Sequence, residues 1–327
     1  MNAPLKSVKV VILDPLNPAS MTRFRGLLPA KFELSCASAR GDDHLKELIA
    51  EADYAVSGQV AVSGDVLRAA KRLKLLHKWG VGVDNFDLDT ARELGVRVAR
   101  TTAGNAVPVA EYTLALMLAA IRNLGFGHAE LKKGHWRGFP LPQESFMVSG
   151  KTVGIIGFGA IGQQVARLLS GFRCKILYSK RTRLDNETER ALNAEHAPLD
   201  RILAESDIVT LNCPLTSETA GMIDRTALQK MKSTSILVNV ARGGIVKEDD
   251  LYWALKHRII HAAATDVYEI EPLPADSPLL TLDNLVVSPH LAALAADNFD
   301  PVVNRMIANF ERTERGEPVP AFESVLP

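Results

Sequence analysis

Short runs of β-branched and apolar residues alternate with amphipathic stretches along almost the whole chain, and this alternation limits the possible folds more than any other feature. A strand, a helix and a second strand return to one sheet as a parallel, right-handed crossover. The chain therefore reads as α/β with parallel sheets. Strands are expected at residues 9–13, 32–36, 54–56, 73–78 and 97–99, with helices over 21–28, 44–50 and 66–70. A helix enters near Pro108, a residue tolerated in a first turn, and runs to about residue 121. Its 112–121 stretch is apolar on nearly every face and should be sandwiched between layers or subunits. Residues 125–150, rich in Gly, Pro and charge, read as a looser region. A second series starts at Lys151, with strands at 152–157, 175–178, 208–212, 235–240, 262–265 and 285–287 and a helix at 161–170. The last helix, 301–315, is followed only by a polar tail. Two α/β units, the second beginning near residue 100, account for the 327 residues.

Charge and cysteine content narrow the class of partner. The 38 Lys and Arg balance the 38 Asp and Glu, so no overall field draws the chain to nucleic acid or to an anionic membrane. No apolar run approaches the roughly 20 residues that span a bilayer. The first residues lack the apolar core of a secretory leader, and a cytoplasmic protein is expected. Cys36, Cys174 and Cys213 are too few and too scattered for a disulfide framework or a zinc site, and no histidine spacing points to a metal. A small molecule is the expected partner.

Gly157-Phe158-Gly159-Ala160-Ile161-Gly162 follows one strand directly and opens a helix, the context in which a GxGxxG sequence binds a dinucleotide. Gly157 permits the tight turn, Gly159 lets the backbone approach a pyrophosphate, and Gly162 lets helix and strand pack closely. The helix N-terminus offers N–H groups and a positive dipole end to the anion. The next strand ends in Ser179-Lys180-Arg181 where an Asp or Glu would bind the ribose hydroxyls of NAD. A hydroxyl and two cations suit a 2′-phosphate, so NADP(H) is favoured over NAD(H).

Three later strands end in reactive groups. Arg242 follows 236–240, Asp266 follows 262–265, and His290 follows 285–287, with Glu271 in the loop after Asp266. Ligands of open α/β sheets bind at strand carboxyl ends, so these four side chains should share a crevice. An Arg polarises a carbonyl and clamps a carboxylate. A His exchanges the proton that accompanies hydride transfer, and a neighbouring carboxylate favours its charged form.

The sequences GFGAIG (157–162), NVARGGIV (239–246), TDVYEIEP (265–272) and SPHLAA (288–293), with KWGVGVDNFDLD (78–89) and NAVPVAEYTLALMLA (105–119), resemble the D-isomer-specific 2-hydroxyacid dehydrogenases over essentially the full chain. The resemblance implies two Rossmann-like parallel-sheet domains: a flavodoxin-like substrate domain of residues 1–101 and 295–327, and a dinucleotide-binding domain of 102–294. It also implies roles. Arg242 would bind the 2-oxo acid, His290 would be the acid–base group and would also contact the cofactor, and Glu271 would be its partner. Asp266 would hold the nicotinamide carboxamide, with Val240 and Ala292 lining the ring. Backbone N–H groups of Val81 and Gly82 would hold the substrate carboxylate, and Asn105 would face substrate or nicotinamide. Ala160 and Ile161 would cover the pyrophosphate, and Cys213, Pro214 and Thr219 the adenine side. Relatives also suggest a homodimer, with the 108–121 helix, Trp136 and Phe139 at its interface.

Departures from the family pattern narrow the substrate. Phosphoglycerate dehydrogenases of the family usually carry an Arg-Ser pair after the third strand; Val56-Ser57-Gly58-Gln59 has no cation there. Formate dehydrogenases place Gln where this chain has Glu271. Ala293 stands where the family often has Gly. The expected activity is NADPH-dependent reduction of a small 2-oxo acid, glyoxylate or hydroxypyruvate, to the D-2-hydroxy acid. The alternatives are NAD-dependent oxidation of another D-2-hydroxy acid such as 3-phosphoglycerate, a non-catalytic nicotinamide-sensing corepressor-like scaffold, and an oxidase of phosphite or a similar oxyanion.

Overall fold

The computed structural model describes residues 7–102, 104–137 and 145–327, so Phe139 lies outside the described residues. The chain divides into two compact units, Met1–Asn105 with Ala295–Pro327, and Ala106–Leu294.

The first unit is built on β1 (Val8–Ile12), β2 (Phe32–Cys36), β3 (Tyr54–Ser57), β4 (Leu75–Lys78) and β5 (Arg97–Arg100). These are mutually parallel in the order β5-β4-β3-β1-β2, that of a flavodoxin-like sheet. Both faces are covered, as parallel sheets require. Val11 and Leu13 point into one apolar cluster, and Val10 and Ile12 into the opposite one, where Val302, Met306 and Phe310 of the helix Ala296–Glu314 pack. The residues after this helix are not merely a polar tail. Residues 324–326 pair antiparallel with β5. Buried Glu323 anchors them, accepting from Asn309 Nδ2 (3.0 Å) and pairing with Arg305. A three-residue edge strand has no apolar period of its own, so only this docking reveals it.

The second unit contains β6 (Thr152–Ile156), β7 (Lys175–Ser179), β8 (Ala194–His196), β9 (Ile208–Leu211), β10 (Ile236–Asn239), β11 (Ala262–Thr265) and β12 (Leu285–Val287). All pair in parallel, in the order β8-β7-β6-β9-β10-β11-β12. The order reverses between β6 and β9, and a crevice opens at such a switch point beyond the strand carboxyl ends. The residue-108 helix spans Ala106–Ile121 and buries Val109, Ala110, Leu116, Met117 and Ile121 in the same cluster as β6, β10 and β11. The region expected to be loose begins with a further helix, Leu124–Lys132, which leaves Leu124, Leu131 and nearby Trp136 exposed. Among the described residues no single helix is long and apolar enough to cross a membrane, although the bent pair Ala106–Ile121 and Leu124–Lys132 passes by length and composition.

Candidate active site

β10, β11 and β12 are neighbours in register, with Asn239 opposite Thr265 and Thr265 opposite Val287. Their carboxyl ends are therefore level, and the loops leaving them start side by side. Asn239, which sequence reasoning passed over, shapes the first loop. Its side chain donates to Arg242 O (2.9 Å) and accepts from Ala241 N–H (3.1 Å). Arg242 in turn donates to Ala241 O (2.8 Å). A Cβ on Gly243 would lie 1.9 Å from the Tyr268 carbonyl carbon, so only glycine lets this loop lie against the next one.

The second loop carries Glu271 to His290. Imidazole Nδ1 lies 2.6 Å from Glu271 Oε2, and since an ionised carboxylate only accepts, Nδ1–H is the donor. Glu271 Oε1 accepts the Tyr268 N–H at 3.0 Å. The two side chains retain 30% and 26% exposure, enough to meet a ligand. Burial opposes ionisation of Glu271, but the His290 hydrogen bond and charge, the Tyr268 N–H and the nearby Arg242 charge outweigh it and hold the carboxyl below the usual range. Arg242, Glu271 and His290 are thus brought into one electrostatic neighbourhood.

Asp266 has a structural task. It is fully buried, and its oxygens accept from Ser288 Oγ (2.6 Å), Leu291 N–H (2.8 Å) and Ala292 N–H (2.8 Å). It thereby folds the loop that presents His290, whose φ of 54° is a left-handed conformation uncommon outside glycine. Tyr268 helps, its hydroxyl donating to Ser288 O at 3.0 Å. Neither Tyr268 nor Ser288 was legible as a site residue, because their partners lie across the sheet. Val240 and Ala292 are buried in one apolar cluster beside this loop.

The three glycines of the 157–162 loop have different surroundings. At Gly157 (φ 96°) a Cβ would lie 2.3 Å from Cys213 N, and at Gly162 it would lie 2.4 Å from Gly157 O. At Gly159 a Cβ would meet nothing within 4 Å. The outer glycines are thus demanded by the protein's own packing, while the middle one faces open space at the uncapped start of the helix Ala160–Leu169. That is a cradle shaped for a phosphate. Gly159 and Ala160 are exposed and Ile161 is half-buried. Ser179 ends β7, Lys180 is half-buried and Arg181 exposed. Cys213 follows the neighbouring strand pair; burial pushes its thiol up to about 11, so it packs as a neutral wall. Thr219 Oγ1 donates to Pro214 O (2.7 Å) and closes that loop. The contrast among glycines makes a prediction. Gly159→Ala should leave the melting temperature unchanged but weaken dinucleotide binding, whereas Gly243→Ala should cost about 1–3 kcal/mol of stability. Thermal melts and a fluorescence titration with cofactor would check both.

Val81, Gly82 and Asn105 belong to the first unit. Val81 is exposed, Gly80 before it has φ 146°, and Asn105 is buried, accepting from Asn298 Nδ2 at 3.3 Å.

The sequence profile described as "D-isomer specific 2-hydroxyacid dehydrogenase, NAD binding domain" matches residues 114–292. A hydroxypyruvate reductase of Thermotoga maritima is 37% identical over 88% of this chain and 92% of its own length. A D-3-phosphoglycerate dehydrogenase of Archaeoglobus fulgidus is also 37% identical over 88% of this chain, which spans only 53% of that relative. Among solved structures, the TT0316 protein of Thermus thermophilus superposes with a TM-score of 0.86 at 30% identity, covering 98% of this chain and 100% of the other. An NAD-dependent formate dehydrogenase of Staphylococcus aureus in complex with NAD gives 0.85 at 27% identity, covering 98% and 99%. A profile that matches more than half the chain and relatives aligned along most of it lead to one conclusion: the chain belongs to the D-isomer-specific 2-hydroxyacid dehydrogenase family and is a nicotinamide-dependent oxidoreductase.

Proposed function

We propose that this enzyme reduces a small, unphosphorylated 2-oxo acid, glyoxylate or hydroxypyruvate, to the D-2-hydroxy acid with NADPH. The observation that carries the reading is the Glu271–His290 pair beside Arg242 at three level strand ends. Arg242 holds the keto oxygen and stabilises the negative charge that develops on it. Bound NADPH supplies a hydride to the keto carbon. His290, its Nδ1–H committed to Glu271, donates a proton from Nε2 to that oxygen, so one hydride and one proton add across the C=O. Asp266, fully buried with its oxygens taken up by the His290 loop, orders that loop instead of meeting the nicotinamide carboxamide directly, while Val240 and Ala292 line the ring. Val81 and Gly82 N–H groups take the substrate carboxylate, with Asn105 beside them.

Residues 1–101 with 295–327 form the substrate domain and 102–294 the dinucleotide domain. The loop after β3 supports an unphosphorylated substrate. Its Gln59 and Val60 N–H groups already donate to Asp14 at 2.8 and 3.0 Å, and Gly58 N–H does the same, so an anion of the protein holds that position. The exposed apolar side chains of Leu124, Leu131 and Trp136 support a homodimer. Three free cysteines suit the reducing cytoplasm.

Initial rates for glyoxylate, hydroxypyruvate, pyruvate and 3-phosphohydroxypyruvate, each with NADPH and NADH, test the reading. Highest kcat/KM for one of the first two with NADPH is expected. A preference for the phosphorylated acid, or no turnover of any despite cofactor binding, overturns it.

A further inference from the structure

The cations after β7 are not equivalent, and a buried carboxylate sorts them. Glu189, on the short helix Asn186–Ala191, is 7% exposed. Arg183 Nε and Nη2 donate to its two oxygens at 2.9 and 2.8 Å, a bidentate pair, and the Tyr178 hydroxyl donates to Oε1 at 2.7 Å. These hydrogen bonds hold the Glu189 carboxyl at about 2, so it is ionised at any working pH. The same Tyr178 hydroxyl accepts the Leu184 N–H at 2.9 Å, closing the turn that contains Lys180 and Arg181. At its other edge the turn is tied to the phosphate loop twice. Gly157 N–H donates to Ser179 O at 3.0 Å, and the Tyr178 ring stacks on Phe158 with centroids 4.3 Å apart. His196 Nε2, 3.2 Å from Lys180 O, holds a third side. Among the described residues Lys180 and Arg181 have no carboxylate partner, while Arg183 is fully engaged.

We infer that Glu189 is a positioning residue for cofactor choice: by clasping Arg183 and Tyr178 it fixes the Ser179–Arg181 turn against the phosphate loop, so that Lys180 and Arg181 meet the 2′-phosphate of NADPH. The inference rests on the NADPH reading above. It assigns selectivity to a carboxylate that touches no part of the cofactor. It also makes a prediction whose sign is opposite to simple electrostatics. A negative charge near a phosphate weakens its binding, and neutralising that charge should tighten it. If Glu189 acts by position, neutralising it loosens phosphate binding instead.

The probes are adenosine 2′,5′-bisphosphate and adenosine 5′-monophosphate, which differ only in the 2′-phosphate, titrated calorimetrically into the full chain. Wild-type protein should prefer the bisphosphate by at least about tenfold, and K180A/R181A should abolish the preference. E189Q should reduce the preference by about three- to tenfold, through weaker bisphosphate binding with unchanged monophosphate affinity. Y178F, which keeps the ring on Phe158 and loses only the hydroxyl, should do the same and decides the matter if E189Q melts well below wild type. Kinetic selectivity for NADPH over NADH should fall in parallel. Equal affinity of wild-type protein for the two probes overturns the NADPH reading, and the inference falls with it. A wild-type preference that E189Q or Y178F leaves intact or strengthens overturns the inference alone.

Discussion

Replacing His290 with glutamine should lower kcat for 2-oxo acid reduction by about 10²–10⁴-fold, the range expected when a positioned general acid is removed. Cofactor affinity should be unchanged, because Gln preserves the bulk of the side chain. The pH profile tells this role from a packing role. Reduction consumes a proton that His290 must carry, so its rate should fall towards alkaline pH while oxidation should gain. Glu271, held below the usual carboxyl range, stays ionised at neutral and alkaline pH and accepts the His290 Nδ1–H at 2.6 Å. Glu271→Gln removes the charge and keeps the shape. Without the carboxylate, Nδ1–H of His290 loses the acceptor that orients the ring, so kcat for reduction should fall while cofactor binding is kept. A reduction rate that climbs steadily from about pH 6 to 9 would refute His290 as proton donor.

Substituting Arg242 should be almost as damaging, by a different route. Loss of a donor aimed at a developing oxyanion costs about 3–4 kcal/mol, or roughly 10²–10³ in kcat. Arg242→Lys keeps the charge but not the planar fork, and most of the loss should persist. KM for the 2-oxo acid should rise as well, since the same guanidinium holds the substrate before reaction. Dinucleotide binding, carried by the 157–162 loop, should not change. Equal activity of the lysine variant and wild type would show that charge alone suffices and would remove the bidentate contact from the mechanism.

The phosphate loop was legible in the sequence because its constraint is local: a strand, three glycines and a helix lie within a few residues, and each glycine has a steric reason. Arg242, Glu271 and His290 were legible for a related reason. Each sits just past a readable strand, and parallel strands deliver their carboxyl ends to one edge. Asn239, Tyr268 and Ser288 were not legible as site residues: Asn239 falls inside the strand read at 235–240, and nothing in the local pattern singles out Tyr268 or Ser288. Tyr268 and Ser288 act on each other from neighbouring loops, Tyr268 Oη reaching Ser288 O, 20 residues away, while Asn239 closes its own loop through Arg242 O and Ala241 N–H. Asp266 shows the same limit, because its position was readable but its task of folding the His290 loop was not.

What the amino-acid sequence determined by itself was the class of fold, the glycine loop and which candidate side chains stand just past the strand ends, all properties of short-range pattern and residue chemistry. What the tertiary structure alone decided was their arrangement. The register of β10, β11 and β12 levels three loops, the bare Cα of Gly243 lets two of them touch, and Glu189 engages Arg183 among the cations that follow β7. Such outcomes depend on distances between residues remote in the chain, and those distances exist only once the sheet has formed.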